Sequence, residues 1–458
     1  MLKFRNKKDI LNMIKFLEVE MNSFNIALVS LGCSKNLVDS EMILGILARR
    51  GYSIVVDETE ADLIIVNTCA FINDAKEESI NTIINLAELK EERCKALVVT
   101  GCLANRYEKE IKIELPEVDA VVAINDNEAL IDFIDGIAKQ SGFIPSCDCR
   151  GIPAGDRLRS TAPHTAYVKI SEGCNNRCTY CVIPYIRGNY VSRPIEEIEA
   201  EVKSLADSGV REIIVIAQDT TYYGRDIYGK ASLDVLLKRL SDIEGIEWIR
   251  CLYMYPEKMT DELLELIANN EKICKYLDIP IQHISDKVLK SMARTVRKKD
   301  IYDLIAKIRE KIKDVTLRTT LIVGFPGETE EDFEELKDFI KFAKFDKLGV
   351  FTYSKEEGTK AAEMKNQIPE KIKKQRYNEI MKLQQQVSLD NNQSLVGEKI
   401  KVLIEGIMPD GMYFGRTYKD APDVDGYAFV ESEENLPLGD FVEATVVKAV
   451  EYDLYCKK

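Results

Sequence analysis

Between residue 24 and about residue 140, short apolar runs alternate with longer stretches of helical period. NIALVSL, DLIIVNT, KALVVTG and DAVVAI are continuous apolar runs of strand length, each followed by a polar, helix-period segment. That pattern predicts buried parallel strands in an open α/β sheet over 24–140. The following SCDCRGIPAGDRLRSTAPHT has no period and is rich in Gly, Pro, Ser and Asp, which predicts a linker over 141–163. Alternation then resumes over 164–393. AYVKIS, EIIVIAQ, WIRCLY, KYLDIPI, LRTTLIVGF and LGVFTYS are its strands, with helices between them such as 329–343, and 370–390 forms one charged helix. In the tail, 394–458, KIKVLIEGI, YAFVES and FVEATVVKAVEY alternate apolar and polar residues around Gly and Asp turns. A small five-stranded antiparallel barrel of OB-like type is predicted there. Residues 1–23 stand apart as an extension: 1–20 has the pattern of a short charged amphipathic helix, and Met21 is the favoured start.

Length and composition narrow the class. At 458 residues, 45% hydrophobic and 31% charged, the chain has the profile of a soluble protein of two or three domains. No apolar run reaches membrane-spanning length, and the N-terminal stretch carries charges throughout with no continuous signal-peptide core. A cytoplasmic location is expected, where cysteines stay reduced and serve more often as metal ligands than as disulfides. The net charge of −14 and pI of about 5.0 disfavour a protein built to wrap a phosphate backbone and favour a basic partner.

The strongest chemical signal is GCNNRCTYC, in which Cys174, Cys178 and Cys181 have CxxxCxxC spacing just after the first strand of the second domain. With 12 cysteines in the chain, chance gives roughly 0.01 occurrences of that pattern. Three thiolates can hold three irons of a 4Fe–4S cluster and leave the fourth open for chemistry. Zinc wants a fourth ligand, and the chain has only His164 and His283 to offer. A bacterial ferredoxin run has CxxCxxC spacing and ends in Cys-Pro. The spacing resembles the radical S-adenosylmethionine (SAM) superfamily, and Tyr180 matches the aromatic which that superfamily carries beside the adenine. Six βα units with the triad at a strand end resemble its partial (βα)6 barrel, whose active site lies at the C-terminal ends of the strands.

Cys33, Cys69 and Cys102 each follow a strand of the first domain, in SLGCSKN, VNTCAFI and VVTGCLA. Strand ends of an open α/β sheet line up along one edge, so these thiols are expected to converge, with Gly32 and Gly101 permitting close backbone approach. Position alone leaves a metal site and three buried core cysteines equally open. The motifs go further. SLGCSKNLVDSE, NTCAFINDAKEES, VTGCLANRY, AQDTTYYG, YMYPEKMTDEL, LDIPIQHIS, GFPGETEEDF, FTYSKEEGTKAA and GRTYKDAPDVDG together resemble the methylthiotransferase family over nearly the whole chain from Met21. They are most similar to its branch acting on an aspartate in the twelfth protein of the small ribosomal subunit. Ser34 replaces a proline commonly found there. That resemblance implies a second 4Fe–4S cluster on Cys33, Cys69 and Cys102, with the tail as a TRAM domain. It also implies a flavodoxin- or ferredoxin-type electron donor.

The implied chemistry uses two molecules of SAM. One is cleaved reductively to a 5′-deoxyadenosyl radical that takes hydrogen from the aspartate β-carbon; the other methylates sulfur carried on the N-terminal cluster. Gln218, Asp219 and Gly324 are expected beside SAM; a turn cap is an equal reading for Asp219. The Gly324–Gly327 segment lacks the Lys-Ser/Thr ending of a phosphate loop. His283, next to Gln282, is expected in the core and the Lys/Arg-rich helix 371–376 on a solvated face. Cys94, Cys251, Cys274 and Cys456 are expected to be ordinary thiols, and the resemblance implies that Cys147 and Cys149 are not ligands. Two other functions compete: a tRNA adenosine methylthiotransferase, and a non-catalytic iron–sulfur electron carrier. The tail holds seven basic against thirteen acidic residues, a net of −6, which disfavours RNA and suits a basic ribosomal protein. Asp420, Asp423 and Asp425 are expected to form an exposed loop that steers that partner.

Overall fold

The computed structural model describes residues 23–151 and 156–458; the helix expected at 1–20 and the start at Met21 lie outside the described residues. The chain forms two compact units that part between Leu158 and Arg159.

The first unit is built on five parallel strands, β1 (Asn25–Ser30), β2 (Ser53–Ile54), β3 (Leu63–Thr68), β4 (Ala96–Gly101) and β5 (Ala120–Val121), in the order β2-β1-β3-β4-β5. Every residue of β3 and β4 is buried, which explains why LIIVNT and ALVVTG are unbroken runs with no polar alternation. Ser30, Asn67 and Thr100 lie side by side in register, so β1, β3 and β4 deliver their C-terminal ends to one stretch of the sheet edge.

The second unit opens with six parallel strands, β6 (Thr165–Lys169), β9 (Glu212–Ile216), β10 (Trp248–Cys251), β11 (Ile273–Asp278), β12 (Thr316–Val323) and β13 (Lys347–Thr352). They run in the order β13-β12-β11-β10-β9-β6 with β6 and β13 as free edges, a barrel left open at one side. A two-stranded ribbon of β7 (Ser171–Glu172) and β8 (Val191–Ser192) interrupts the sequence after β6. Helices pack their apolar stripes on the outside. The helix Glu330–Ala343, for example, starts at a Thr329/Asp332 capping box and stops where Lys344 turns left-handed at φ +46°. Ala166, Ile213, Ile249, Leu277 and Leu317 belong to that outer core. The residues alternating with them, Tyr167, Glu212, Arg250, Tyr276 and Arg318, therefore face the concave side.

The tail closes into a five-stranded barrel of β14 (Lys399–Ile407), β15 (Tyr413–Thr417), β16 (Ala428–Glu431), β17 (Phe441–Ala449) and β18 (Leu454–Lys457). Its pairings are antiparallel except β16 with β18, which is parallel, a connection the alternation of apolar residues does not encode. The tail packs on the N-terminal ends of the six strands. Arg416, 1% exposed, pairs with Glu212 at 2.6 Å and with Glu405 at 2.7 Å; Glu212 also holds Arg250 at 3.0 Å. The loop after β15 continues the plug. Asp420 pairs with Lys347 at 2.7 Å, Asp425 accepts from the Tyr276 hydroxyl at 2.7 Å, and Asp423 accepts from Tyr167 at 3.3 Å.

These contacts correct the expectation of an exposed acidic steering loop at Asp420 and Asp425, while Asp423 is exposed as expected. The carboxylates of Asp420 and Asp425 are almost wholly buried, because the concave side of an incomplete barrel presents Lys347, Arg318 and Arg250 and needs counter-charges. Removing one partner of such a network leaves a buried charge uncompensated. Arg416→Ala should cost about 3–5 kcal/mol of stability, read as a drop in the urea midpoint at unchanged slope.

Candidate functional site

In the first unit the three cysteines sit where β1, β3 and β4 run out. Cys33 precedes the helix Ser34–Arg49, and Cys102 opens the helix Cys102–Glu114. Both stand at helix N-termini, whose free N–H groups and macrodipole favour negative ligands. Cys69 is fixed through its backbone: its N–H donates to Ser79 Oγ at 3.1 Å, and that hydroxyl donates back to its carbonyl at 3.0 Å. Gly32 (φ +91°) passes so close that a Cβ there would lie 3.0 Å from Cys69 Sγ. Gly101 (φ +93°) has equally little room, with Asn67 Oδ1 2.4 Å from the position of its missing Cβ.

A single buried side chain joins the three ends. Asn36 Nδ2 donates to the carbonyls of Leu31 and Thr68, both at 2.9 Å, and its Oδ1 lies 3.8 Å from Cys102 Sγ. Asn67 Nδ2 in turn donates to the Asn36 carbonyl at 2.9 Å. The SKN motif thus contains, in Asn36, a positioning residue for all three cysteine-bearing ends.

In the second unit, Cys174, Cys178 and Cys181 share one loop after β6. Gly173 (φ +76°) admits no side chain, since a Cβ would lie 2.1 Å from the Asn189 carbonyl oxygen. The Cys174 N–H donates to Gly188 O and Cys181 N–H to Cys178 O. Thr179 is held on both sides, its N–H on Met292 O, its hydroxyl on Ser291 O and its carbonyl by Ala361 N–H. Burial and the neighbouring Cys178 thiol push Cys181 well up, and burial also raises Cys174. Three thiolates this close together need a cation to balance their charge, and that donor set suits an iron–sulfur cluster. Among the described residues, no three His, Cys, Asp or Glu side chains converge on one point, so the convergence expected of Cys33, Cys69 and Cys102 goes no further than neighbouring strand ends, because the backbone sets where each strand stops but not where its thiol points.

The residues expected beside SAM occupy the same end of the barrel. Gln218 Nε2 donates to Glu172 at 2.9 Å, while its Oε1 is buried with no partner. Glu172 is a hub: burial opposes its charge, but Lys169 and Arg187 hold its carboxyl down at about 2. Asp219 is a turn cap, accepting from Tyr222 N–H, and both of its oxygens are engaged, with Thr221, Asn176 and Lys258. Asn176 belongs to the cysteine loop, so this cap also anchors the triad.

Tyr180 meets Phe325 edge-on at 6.5 Å, and Phe325 meets Tyr353 at 5.4 Å. Gly324 (φ +73°) is pressed against the Lys373 stem, 2.3 Å from where its Cβ would be. Lys371 and Lys374 are exposed as expected, but Lys373 and Arg376 are buried, which corrects the solvated face expected at 371–376 for those two: Lys373 Nζ donates to Tyr353 O and Arg376 pairs with Glu328 at 2.8 Å. Glu328 accepts in turn from Phe325 N–H. Helical period places these cations on one face; only packing shows that the face lies against the Gly324–Glu328 loop. Lys258 and Arg294, both near the triad, had no signal of their own beyond lying in or after the YMYPEKMTDEL and LDIPIQHIS stretches.

Cys94, Cys251, Cys274 and Cys456 are buried single thiols. Cys147 and Cys149 lie two residues apart on an irregular segment, their sulfurs neighbours without help from the fold. His164 lies 3.6 Å from Glu405, at the opposite end of the strands from the triad.

Three regions of the chain match known families: residues 25–123 the Uncharacterized protein family UPF0004, residues 168–340 the Radical SAM superfamily, and residues 396–457 the TRAM domain. The chain is similar to the ribosomal protein uS12 methylthiotransferase RimO of Lachnoclostridium phytofermentans, 51% identical over 93% of this chain and 98% of the relative. The RimO proteins of Clostridium botulinum and Clostridium acetobutylicum are 52% and 50% identical, each over 95% of this chain and 98% of the relative. Among solved structures, the radical SAM methyltransferase TsrM from Kitasatospora setae shares the fold. Its TM-score is 0.51 at 15% identity, covering 72% of this chain and 75% of that one.

His283, five residues beyond β11, is fully buried, its Nδ1 accepting from Ser285 N–H at 3.0 Å and its Nε2 without a partner. Burial lowers its pKa from 6.5 to about 3, with Asp332 opposing and Arg376 reinforcing the shift. Across that window the unfolded chain binds a proton that the folded chain refuses, so stability falls as pH falls, by at most about 1.4 kcal/mol per pH unit. His283→Gln should flatten that loss, measured as the difference in thermal midpoint between pH 7.5 and pH 5.5.

Proposed function

The chain belongs to the family of ribosomal protein uS12 methylthiotransferases, and we propose that it replaces a β-carbon hydrogen of an aspartate in uS12 with a methylthio group, using SAM and two 4Fe–4S clusters. The observation that carries this is the pair of cysteine sets, each gathered at the C-terminal strand ends of its own parallel sheet. Cys174, Cys178 and Cys181 would hold one cluster and Cys33, Cys69 and Cys102 the other. When bound, the clusters supply the electron that cleaves SAM and carry the sulfur that is transferred. The hydrogen leaves on 5′-deoxyadenosine, and a second SAM provides the methyl group. A low-potential flavodoxin or ferredoxin is the proposed electron donor, and the cytoplasm the proposed location; among the described residues no helix is long and apolar enough to cross a membrane.

The chain's own residues bind, orient and exclude water. Gln218 Oε1, buried without a partner, suits the SAM ammonium, and the Glu172 hub holds the amide in that orientation. Tyr180 and Phe325 supply an apolar wall for the adenine, with Gly324 keeping the backbone close. Asp219 and Lys258 brace the cysteine loop, and a reactive radical benefits from that rigidity because a loose pocket lets water or protein quench it.

Anaerobically reconstituted protein should bind about eight irons, and the triple Ala variant of Cys174, Cys178 and Cys181 about four, with SAM cleavage abolished. The triple Ala variant of Cys33, Cys69 and Cys102 should still release 5′-deoxyadenosine but transfer no methylthio group. Mass spectrometry of uS12 and of tRNA nucleosides, from cells with and without the chain, checks the substrate. A methylthio adenosine in place of the modified aspartate would transfer the chain to the tRNA branch, and no product of either kind would leave only an electron carrier.

A further inference from the structure

Arg294 follows the turn that grips the cysteine loop, since Ser291 and Met292 accept the two hydrogen bonds from Thr179. Its side chain is 1% exposed. One nitrogen, Nη2, donates to Glu257 at 3.2 Å and to Pro280 O at 3.3 Å, but Nε and Nη1 are buried with no acceptor at all. The guanidinium lies 4.5 Å from the centre of the Tyr255 ring, and the groups in its electrostatic field are Tyr180, Glu257, Tyr255 and Cys178. Tyr255 in turn lies in the field of both Cys178 and Cys174.

A buried cation with idle donors is costly unless something negative meets it. Lys258, the other cation over Tyr255, is already neutralised by Asp219. Arg294 has only Glu257, whose carboxylate is partly solvated. Hydrogen bonds to sulfur and local net charge are the means by which a protein sets the potential of an iron–sulfur centre.

We propose that Arg294 is a positioning and charge-compensating residue for the Cys174–Cys178–Cys181 site, offering its Nε and Nη1 donors and its fixed positive charge to the sulfurs of the bound cluster and so raising its reduction potential. The inference rests on the triad's assignment as a cluster site, which the iron content of the wild-type protein tests separately.

The experiment is an EPR-monitored redox titration of the reconstituted full chain, following the signal that SAM perturbs. Arg294→Gln should move that midpoint to more negative potential with iron content unchanged, and Arg294→Lys, which keeps the charge, should stay near wild type. Glu257→Gln removes the opposing carboxylate and should move the midpoint the other way, to more positive potential. If Arg294→Gln fails to retain iron, the Glu257→Gln shift decides alone. An unchanged midpoint in either neutral variant that retains its iron, or shifts of the same sign in both, overturns the assignment.

Discussion

Parallel strands bring all their C-terminal ends to one edge, and both cysteine sets of this chain depend on that constraint. In the first unit it carries Cys33, Cys69 and Cys102, dozens of residues apart, to the ends of three neighbouring strands held in register at Ser30, Asn67 and Thr100. In the second it places the triad loop after β6, beside Gln218 after β9 and Gly324 after β12. Backbone approach then does the fine placement. Gly32, Gly101 and Gly173 lie where any side chain would collide with the neighbouring segment.

An incomplete barrel has a second problem at its other end. Its concave side there is lined by Glu212, Arg250, Arg318 and Lys347, and these charges need partners in a place that water barely reaches. The tail supplies them with Arg416, Asp420 and Asp425. Closing the N-terminal end with the tail leaves the C-terminal end for chemistry. The tail's acidity is thus partly structural, and its net charge of −6 overstates what it presents to a partner.

The charges around the triad follow the same rule. Asp219 with Lys258, Glu172 with Arg187, and Glu328 with Arg376 are each matched inside the protein. Arg294 is matched least, with two donors facing no acceptor beside the loop where negative sulfur is expected.

Much of this was legible in the residue order. Continuous runs such as LIIVNT and ALVVTG mark strands covered on both faces, and the CxxxCxxC spacing and the three strand-end cysteines mark the two candidate sites, because strand type and local ligand spacing are short-range properties. The roles of Asp420 and Asp425, the burial of Lys373 and Arg376, the parallel β16–β18 pair and the isolation of Arg294 were not legible. A charged residue looks the same in sequence whether it meets water or an opposite charge, and strand pairing at a distance leaves no local period. The sequence alone marked the candidate residues for the chemistry; the tertiary structure decided which charges face solvent, since burial and pairing are properties of segments that meet only in the folded chain.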